Sequence, residues 1–181
     1  MSVSSANASR ARTRMYWIAA ALFINITAVG YIPPLLIGEP MDATLLIAPM
    51  GASALLMLLR PNSSYAGPWT VMVANTVAAL VGLATPFVIP TPIFAAAVAL
   101  AMTVAAMGIL RTVHPPSAGI ALLATSLGAQ PTPAALAFLI DKVMLSSAVL
   151  IGVSIVLTRL SNGALLARTR RGNARKDCSA Q

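Results

Sequence analysis

The apolar stretches that recur from Met15 to Leu160 leave this chain few folds to choose from. The charges inside that interval are Glu39, Asp42, Arg60, Arg111, Asp141, Lys142 and Arg159, and the runs between them approach the length of a bilayer crossing. Charged residues make up 9% of the chain, against about 25% in ordinary soluble domains, and the mean hydropathy is +0.85. So little polar surface cannot cover a water-soluble globule. The prediction is an all-α membrane protein: a bundle of about six transmembrane segments, two of them short and broken by proline and glycine.

The net charge of +8 is placed at the ends. Arg10, Arg12 and Arg14 precede the first apolar run, and Arg159, Arg168, Arg170, Arg171, Arg175 and Lys176 follow the last. By the positive-inside rule this predicts a multi-pass protein of the cell (inner or plasma) membrane with both termini cytoplasmic. No aromatic residues interleave with those arginines, so no nucleic-acid partner is expected. The single cysteine, Cys178, and single histidine, His114, form no disulfide framework and no metal-ligand spacing, and no cofactor is expected. Three regions follow: a basic, disordered N-terminus over 1–14, a transmembrane domain over 15–160, and a basic cytoplasmic tail over 161–181. The arginines before Met15-Tyr16-Trp17 resemble a signal peptide's opening, but the apolar run continues too far and reads as a retained span.

In order, spans are predicted over 15–37, 69–89, 93–110 and 134–157. Pro33-Pro34 interrupts the far end of the first, and an acidic loop with Glu39 and Asp42 follows. The segments 44–59 and 116–127 are too short for an easy crossing, which takes about 20 residues. Each carries prolines among small residues. The first is expected to start irregularly through Pro49, with a half-helix from Gly51 to Leu59. Six crossings keep Arg60 and Arg111 on the side of the termini, whereas re-entrant short segments would place them opposite, so the charges favour six.

Ala48-Pro49-Met50-Gly51-Ala52-Ser53-Ala54-Leu55-Leu56 is similar to Pro115-Pro116-Ser117-Ala118-Gly119-Ile120-Ala121-Leu122-Leu123. Each stands second in a trio of segments, so the two halves would lie inverted in the membrane. Short broken segments at matching positions of inverted halves point to a transporter's binding site. A chance likeness of small residues is the competing account.

Pro49-Met50-Gly51-Ala52-Ser53-Ala54, then Pro68-Trp69 opening a span with Asn75 and Gly82, then Arg111-Thr112-Val113-His114-Pro115-Pro116-Ser117-Ala118-Gly119-Ile120-Ala121-Leu122, resembles the HPP family over most of the chain. The resemblance implies a small integral membrane protein, a transporter by the family's usual description, with nitrite as the substrate associated with plant and cyanobacterial members. Departures stand at Asn75-Thr76, where a glycine-histidine pair is frequent, and at Ser117-Ala118, where glycines usually follow the HPP tripeptide.

The function expected is transport of a small, nitrite-like inorganic anion, coupled to protons in one version, with a non-transporting scaffold or sensor as the alternative. The residues expected to form the site are Pro49, Gly51, Ala52, Ser53, Asn75, Arg111, His114, Pro115, Pro116, Ser117, Ala118 and Gly119. A helix opening at Pro116 would leave the amides of Ala118 and Gly119 unpaired, and a second opening at Gly51 would face it, together forming an anion cradle. Tight packing alone would equally explain both breaks. His114 suits proton binding or a helix cap, and Arg111 suits anion guidance or snorkelling to the surface. Asp141 and Lys142 lie inside the last span and suit a role within the bundle. A triad of His114, Asp141 and Ser117 lacks a nucleophile elbow, so no enzyme is expected. The partners expected are the lipid bilayer, the anion and, given the alanine-rich surfaces, a second copy of the chain.

Overall fold

The computed structural model describes the backbone of residues 3–38 and 47–178, with side chains described at Ala8 and over 11–38 and 48–161. Among the described residues every regular element is helical, as backbone placed in hydrocarbon requires. The elements are α1 (Val3–Ile37), α2 (Ile47–Leu59), a 3-10 turn (Ser64–Ala66), α3 (Pro68–Val88), α4 (Pro92–Ile109), α5 (Ser117–Ser126), α6 (Thr132–Ala137), a π-helical stretch (Phe138–Met144) and α7 (Leu145–Cys178).

Three expectations change at the helix ends. The segment before Met15, expected to be disordered, is helical from Val3, because its alanines, serines and arginines tolerate a helix well. Pro33 and Pro34 do not interrupt α1, which continues to Ile37 and ends at Gly38 (φ +76°), whose N–H bonds the Pro34 carbonyl at 2.9 Å. Pro49 does not break α2 either. It falls in the first turn, where its missing N–H would have had no helical partner, so Gly51 to Ser53 are helix interior rather than a helix start. The acidic loop with Glu39 and Asp42 lies outside the described residues.

Cross-helix partners fix the direction of each helix. Arg14 Nη2 donates to the Leu59 carbonyl at 2.9 Å, and Gly51 faces Ile26, so α1 and α2 run antiparallel. The tight turn at Ser64–Ala66 sends α3 away again, and the connection at 89–91 brings α4 back. Ser117 bonds Asn75, and Ala121 and Ala124 press on Gly82, so α5 runs parallel to α3. Asn25 bonds Ser154, whereas Ile18 and Ala21 cluster with Leu157, so α7 returns antiparallel to α1. All six segments therefore alternate in direction, the short ones included. Arg14, Leu59, Tyr65, His114 and Arg159 share one end of the bundle, termed here the basic end.

Among the described residues four helices are long and apolar enough to cross a membrane: Ala11–Ile37, Pro68–Val88, Pro92–Ile109 and Thr132–Ser161. The other two, at 13 and 10 residues, rise only about 20 and 15 Å of a hydrocarbon core about 30 Å thick. α2 ends at the basic end and α5 begins near it. The two short helices are therefore neighbours of opposite direction, each covering part of the depth.

Packing bears the stamp of two inverted halves, α1-α2-α3 and α4-α5-α7. Exchanging the halves turns α1·α2 into α4·α5, α1·α7 into α3·α4, and α2·α7 into α3·α5, all of which are packed pairs, while α2·α5 and α3·α7 map onto themselves. The short helices repeat the pattern in detail. Aligned from Ala48 and from Pro115 over twelve residues, ten positions share the same degree of burial. The sequence likeness is therefore structural.

The tightest crossing is α3 on α5. A Cβ added at Gly82 would meet the Ala121 carbonyl oxygen and the Ala124 methyl at 2.7 Å, well inside contact distance. Gly82→Ala is predicted to force the two helices apart and lower stability by about 1–3 kcal/mol. Gly108→Ala, at a helical position with nothing within 4 Å, should be neutral or mildly stabilising. Thermal unfolding of the two variants in detergent compares them directly.

Candidate functional site

His114 sits in the connection between α4 and α5 and is fully buried. Its Nδ1 lies 2.7 Å from the Tyr65 carbonyl oxygen in the 3-10 turn, and its Nε2 lies 2.8 Å from Ser53 Oγ on α2. A carbonyl only accepts, so Nδ1 carries the proton and points it at Tyr65. Ser53 Oγ is also 3.0 Å from the Pro49 carbonyl, four residues earlier in its own helix. Burial away from water pushes the imidazole below its ordinary pKa of 6.5, and the Tyr65 carbonyl offsets part of that shift by favouring the charged ring. No carboxylate occurs on α2, α3, α4 or α5.

Asn75, fully buried in α3, joins three helices. Its amide nitrogen donates to Ser147 Oγ on α7 at 2.9 Å, and its carbonyl accepts from Ser117 Oγ on α5 at 2.5 Å. One to two turns further along α7, Asn25 of α1 donates to the Leu150 carbonyl at 3.3 Å and to Ser154 Oγ at 2.8 Å. Ser147, Leu150 and Ser154 follow the three- and four-residue spacing of one helix face. That face of α7 therefore receives an asparagine from α1 and another from α3. Among the described residues the Asn25 carbonyl oxygen and the Thr103 and Thr112 hydroxyls are buried with no hydrogen-bond partner.

Between the short helices runs an open apolar groove of about 600 Å³. Ala48, Pro49 and Ala52 line one wall, and Pro115, Pro116 and Gly119, their counterparts in the other half, line the second. Gly119 lets this happen, since a Cβ there would stand 3.2 Å from Pro49 Cγ. The expected cradle of free amides is absent. Ser117, Ala118 and Gly119 donate to the carbonyls of His114, Pro115 and Pro116 at 3.0–3.1 Å, because the two prolines impose a tight turn that satisfies them locally. Gly51 to Ser53 lie inside α2 and are not a second helix start.

α4 ends in a Schellman motif. The N–H of Thr112 reaches the Met107 carbonyl at 3.0 Å, and that of Arg111 reaches Gly108 at 3.2 Å. The residue carrying the left-handed backbone is Arg111, at φ 54°, where glycine is the usual occupant. Its side chain is exposed at the basic end.

The comparison with known families settles the broad identity at this point. The description "HPP, transmembrane region" matches residues 7–165, most of the chain. The chain belongs to the HPP family. A search of curated proteins and a search of solved structures each return no match. The HPP tripeptide, His114-Pro115-Pro116, thus supplies this chain's buried histidine and part of one wall of the groove.

The predicted site residues divide into three groups in this HPP protein. His114 and Ser53 bond directly, and Asn75 bonds Ser117. Pro49, Ala52, Pro115, Pro116 and Gly119 line the groove, with Ala118 half-buried beside it. Gly51 faces α1 and Arg111 faces outward, so neither joins them. Missed from sequence were the Tyr65 carbonyl, Ser147 and the Asn25–Ser154 pair. Backbone carbonyls carry no sequence signal, but the seven-residue spacing of Ser147 and Ser154 did mark one polar stripe on the last span. Asp141 and Lys142 lie half-buried in the π-helical stretch, whose wider turns seat Val143 fully in the core. Among the described residues no cluster of His, Cys, Asp or Glu could hold a metal ion.

Asn75→Ala strands the Ser117 and Ser147 hydroxyls and is predicted to cost about 1–3 kcal/mol per stranded group, read as a lower unfolding temperature in detergent. For His114 the sign follows from its lowered pKa. Between pH 6.5 and the folded value the unfolded chain binds a proton that the folded one refuses, so stability falls as pH drops below 6.5. His114→Gln should flatten that fall, and an equal fall in both proteins would assign it to other groups.

Proposed function

We propose that this HPP-family chain transports a small inorganic anion of the nitrite type across the membrane, together with a proton taken up by His114. The observation that carries this reading is the surroundings of His114: a buried imidazole bonded at both nitrogens, on elements that supply no carboxylate. A protonated ring there lacks a counter-charge from α2 to α5. A bound anion would supply one, raising the ring's proton affinity and linking the two movements. The neighbouring pair of short inverted helices supports a route through the bundle at the same place.

The basic end is taken as cytoplasmic, with both termini there, because Arg14, Arg60, Arg111 and Arg159 all lie at it. The cell (inner or plasma) membrane is the location that fits this charge bias. Ser117 donates to Asn75, and both nitrogens of His114 are engaged elsewhere, so the three residues of a triad are not assembled.

Uptake into proteoliposomes of nitrite, nitrate and other small anions tests the proposal. The expectation is saturable flux that rises as the pH of the uptake side falls, and that loses its pH dependence in His114→Gln. Absence of flux for every anion would leave the scaffold or sensor role. Arg111→Gly separates guidance from anchoring. Relief of the left-handed backbone should stabilise the variant by roughly 1 kcal/mol, and a raised half-saturation concentration would assign Arg111 to anion capture. For orientation, a cysteine at Asn62 in a Cys178→Ser background should resist a membrane-impermeant thiol reagent added outside intact cells.

A further inference from the structure

We infer that Ser53 is the positioning residue for the proton on His114, a hydroxyl switch that lets the ring gain and lose its proton without moving a heavy atom. The inference deepens the proton-coupled reading above and rests on three contacts: His114 Nδ1 to the Tyr65 carbonyl, His114 Nε2 to Ser53 Oγ, and Ser53 Oγ to the Pro49 carbonyl.

A serine has one hydroxyl hydrogen and two neighbours here that can accept it. When His114 is neutral, the Tyr65 carbonyl holds the ring proton on Nδ1. Nε2 then offers a lone pair, and the Ser53 hydroxyl donates to it. When Nε2 takes a proton from hydronium, the N–H bond forms there and the Ser53 O–H···Nε2 bond is lost. Nε2–H now donates to Ser53 Oγ, and the freed hydroxyl hydrogen turns to the Pro49 carbonyl. The added charge ends on a chain of acceptors, Tyr65 carbonyl and Ser53 oxygen, with Pro49 closing it. Release to water reverses every step. In both states each ring nitrogen and the Ser53 hydroxyl hydrogen has a partner among these contacts, which a fully buried ring needs because an unpaired group there is expensive.

Position makes the switch more than a local bond. Pro49 lines the groove against Gly119, so the hydroxyl's turn reports the charge of the ring to the wall of the groove. The ionisable side chains on the elements packed around His114 are those of Arg60, Tyr65 and Arg111, and all three are exposed. α2, α3 and α5 carry none. No other buried side chain among these elements offers the ring a proton or a counter-charge.

Because His114 is the only histidine, ¹⁵N resonances of the imidazole report on it alone in protein purified in lipid nanodiscs. The wild type should show the Nδ1–H tautomer when neutral, against the commoner preference for Nε2–H, and should titrate to the imidazolium. Ser53→Ala should keep the tautomer, which Tyr65 holds, and lower the proton affinity about tenfold, because the bond lost to the charged ring is stronger than the one lost to the neutral ring. Ser53→Thr, which restores a hydroxyl, should recover most of it. An Nε2–H tautomer in the neutral wild type would overturn the proposal without any variant needing to fold, and so would an unchanged titration in Ser53→Ala. These readouts need no flux. A switch present in a protein that moves no anion would sink the transport reading alone, and pH-dependent flux with an unaltered titration in Ser53→Ala would sink the switch alone.

Discussion

The side chain of Asn75 bonds two helices of the opposite half of this bundle at once. Asn75 accepts from Ser117 and donates to Ser147, joining α3 to α5 and α7 in an interior without charged groups. Inside hydrocarbon there is no apolar driving force between helices, so packing and such bonds hold them. An unsatisfied amide there costs far more than in water, and the register of α5 against α3 follows from meeting it. Gly82 completes that register two turns on, where only a hydrogen fits against the backbone of Ala121. With α5 fixed, its turn at Pro115-Pro116 and the buried His114 are fixed as well.

The same economy of polar groups shapes the histidine site. Each nitrogen of His114 has a partner, and the amides after the HPP tripeptide are spent on the carbonyls just before them. The site therefore offers no ready-made nest of free amides for an anion. What it offers is an ionisable ring with no protein counter-charge on the helices around it. Under the proposed function an anion would enter as the partner of a protonated histidine rather than as a guest of helix ends, which would move the chemistry from α5's backbone to the imidazole.

Much of the fold was legible in the sequence. Apolar runs located the six segments of the bundle, the arginines marked one end, and the small-residue likeness of 48–56 to 115–123 announced two related halves. The errors about helix breaks share one cause. Prolines were read as breaks at Pro33-Pro34, at Pro49 and after Pro116, yet a proline in a first turn removes an amide that had no helical partner anyway. At the end of α1 the helix simply absorbs two lost bonds. Around Pro116 the chain turns tightly and pairs its own amides. Whether a proline frees neighbouring amides depends on which carbonyls lie within reach, and sequence carries no record of those distances.

By itself the sequence determined the class, the number of segments and the family to which His114-Pro115-Pro116 belongs, because hydrophobic length and charge placement act through the membrane and need no partner. Tertiary structure alone decided which polar residues meet. Ser53 and His114 are 61 positions apart, and Asn75 and Ser147 are 72 apart. Their pairing depends on alternating helix direction and on glycine-permitted approach. It also depends on a backbone carbonyl, that of Tyr65, which any residue at that position could have presented.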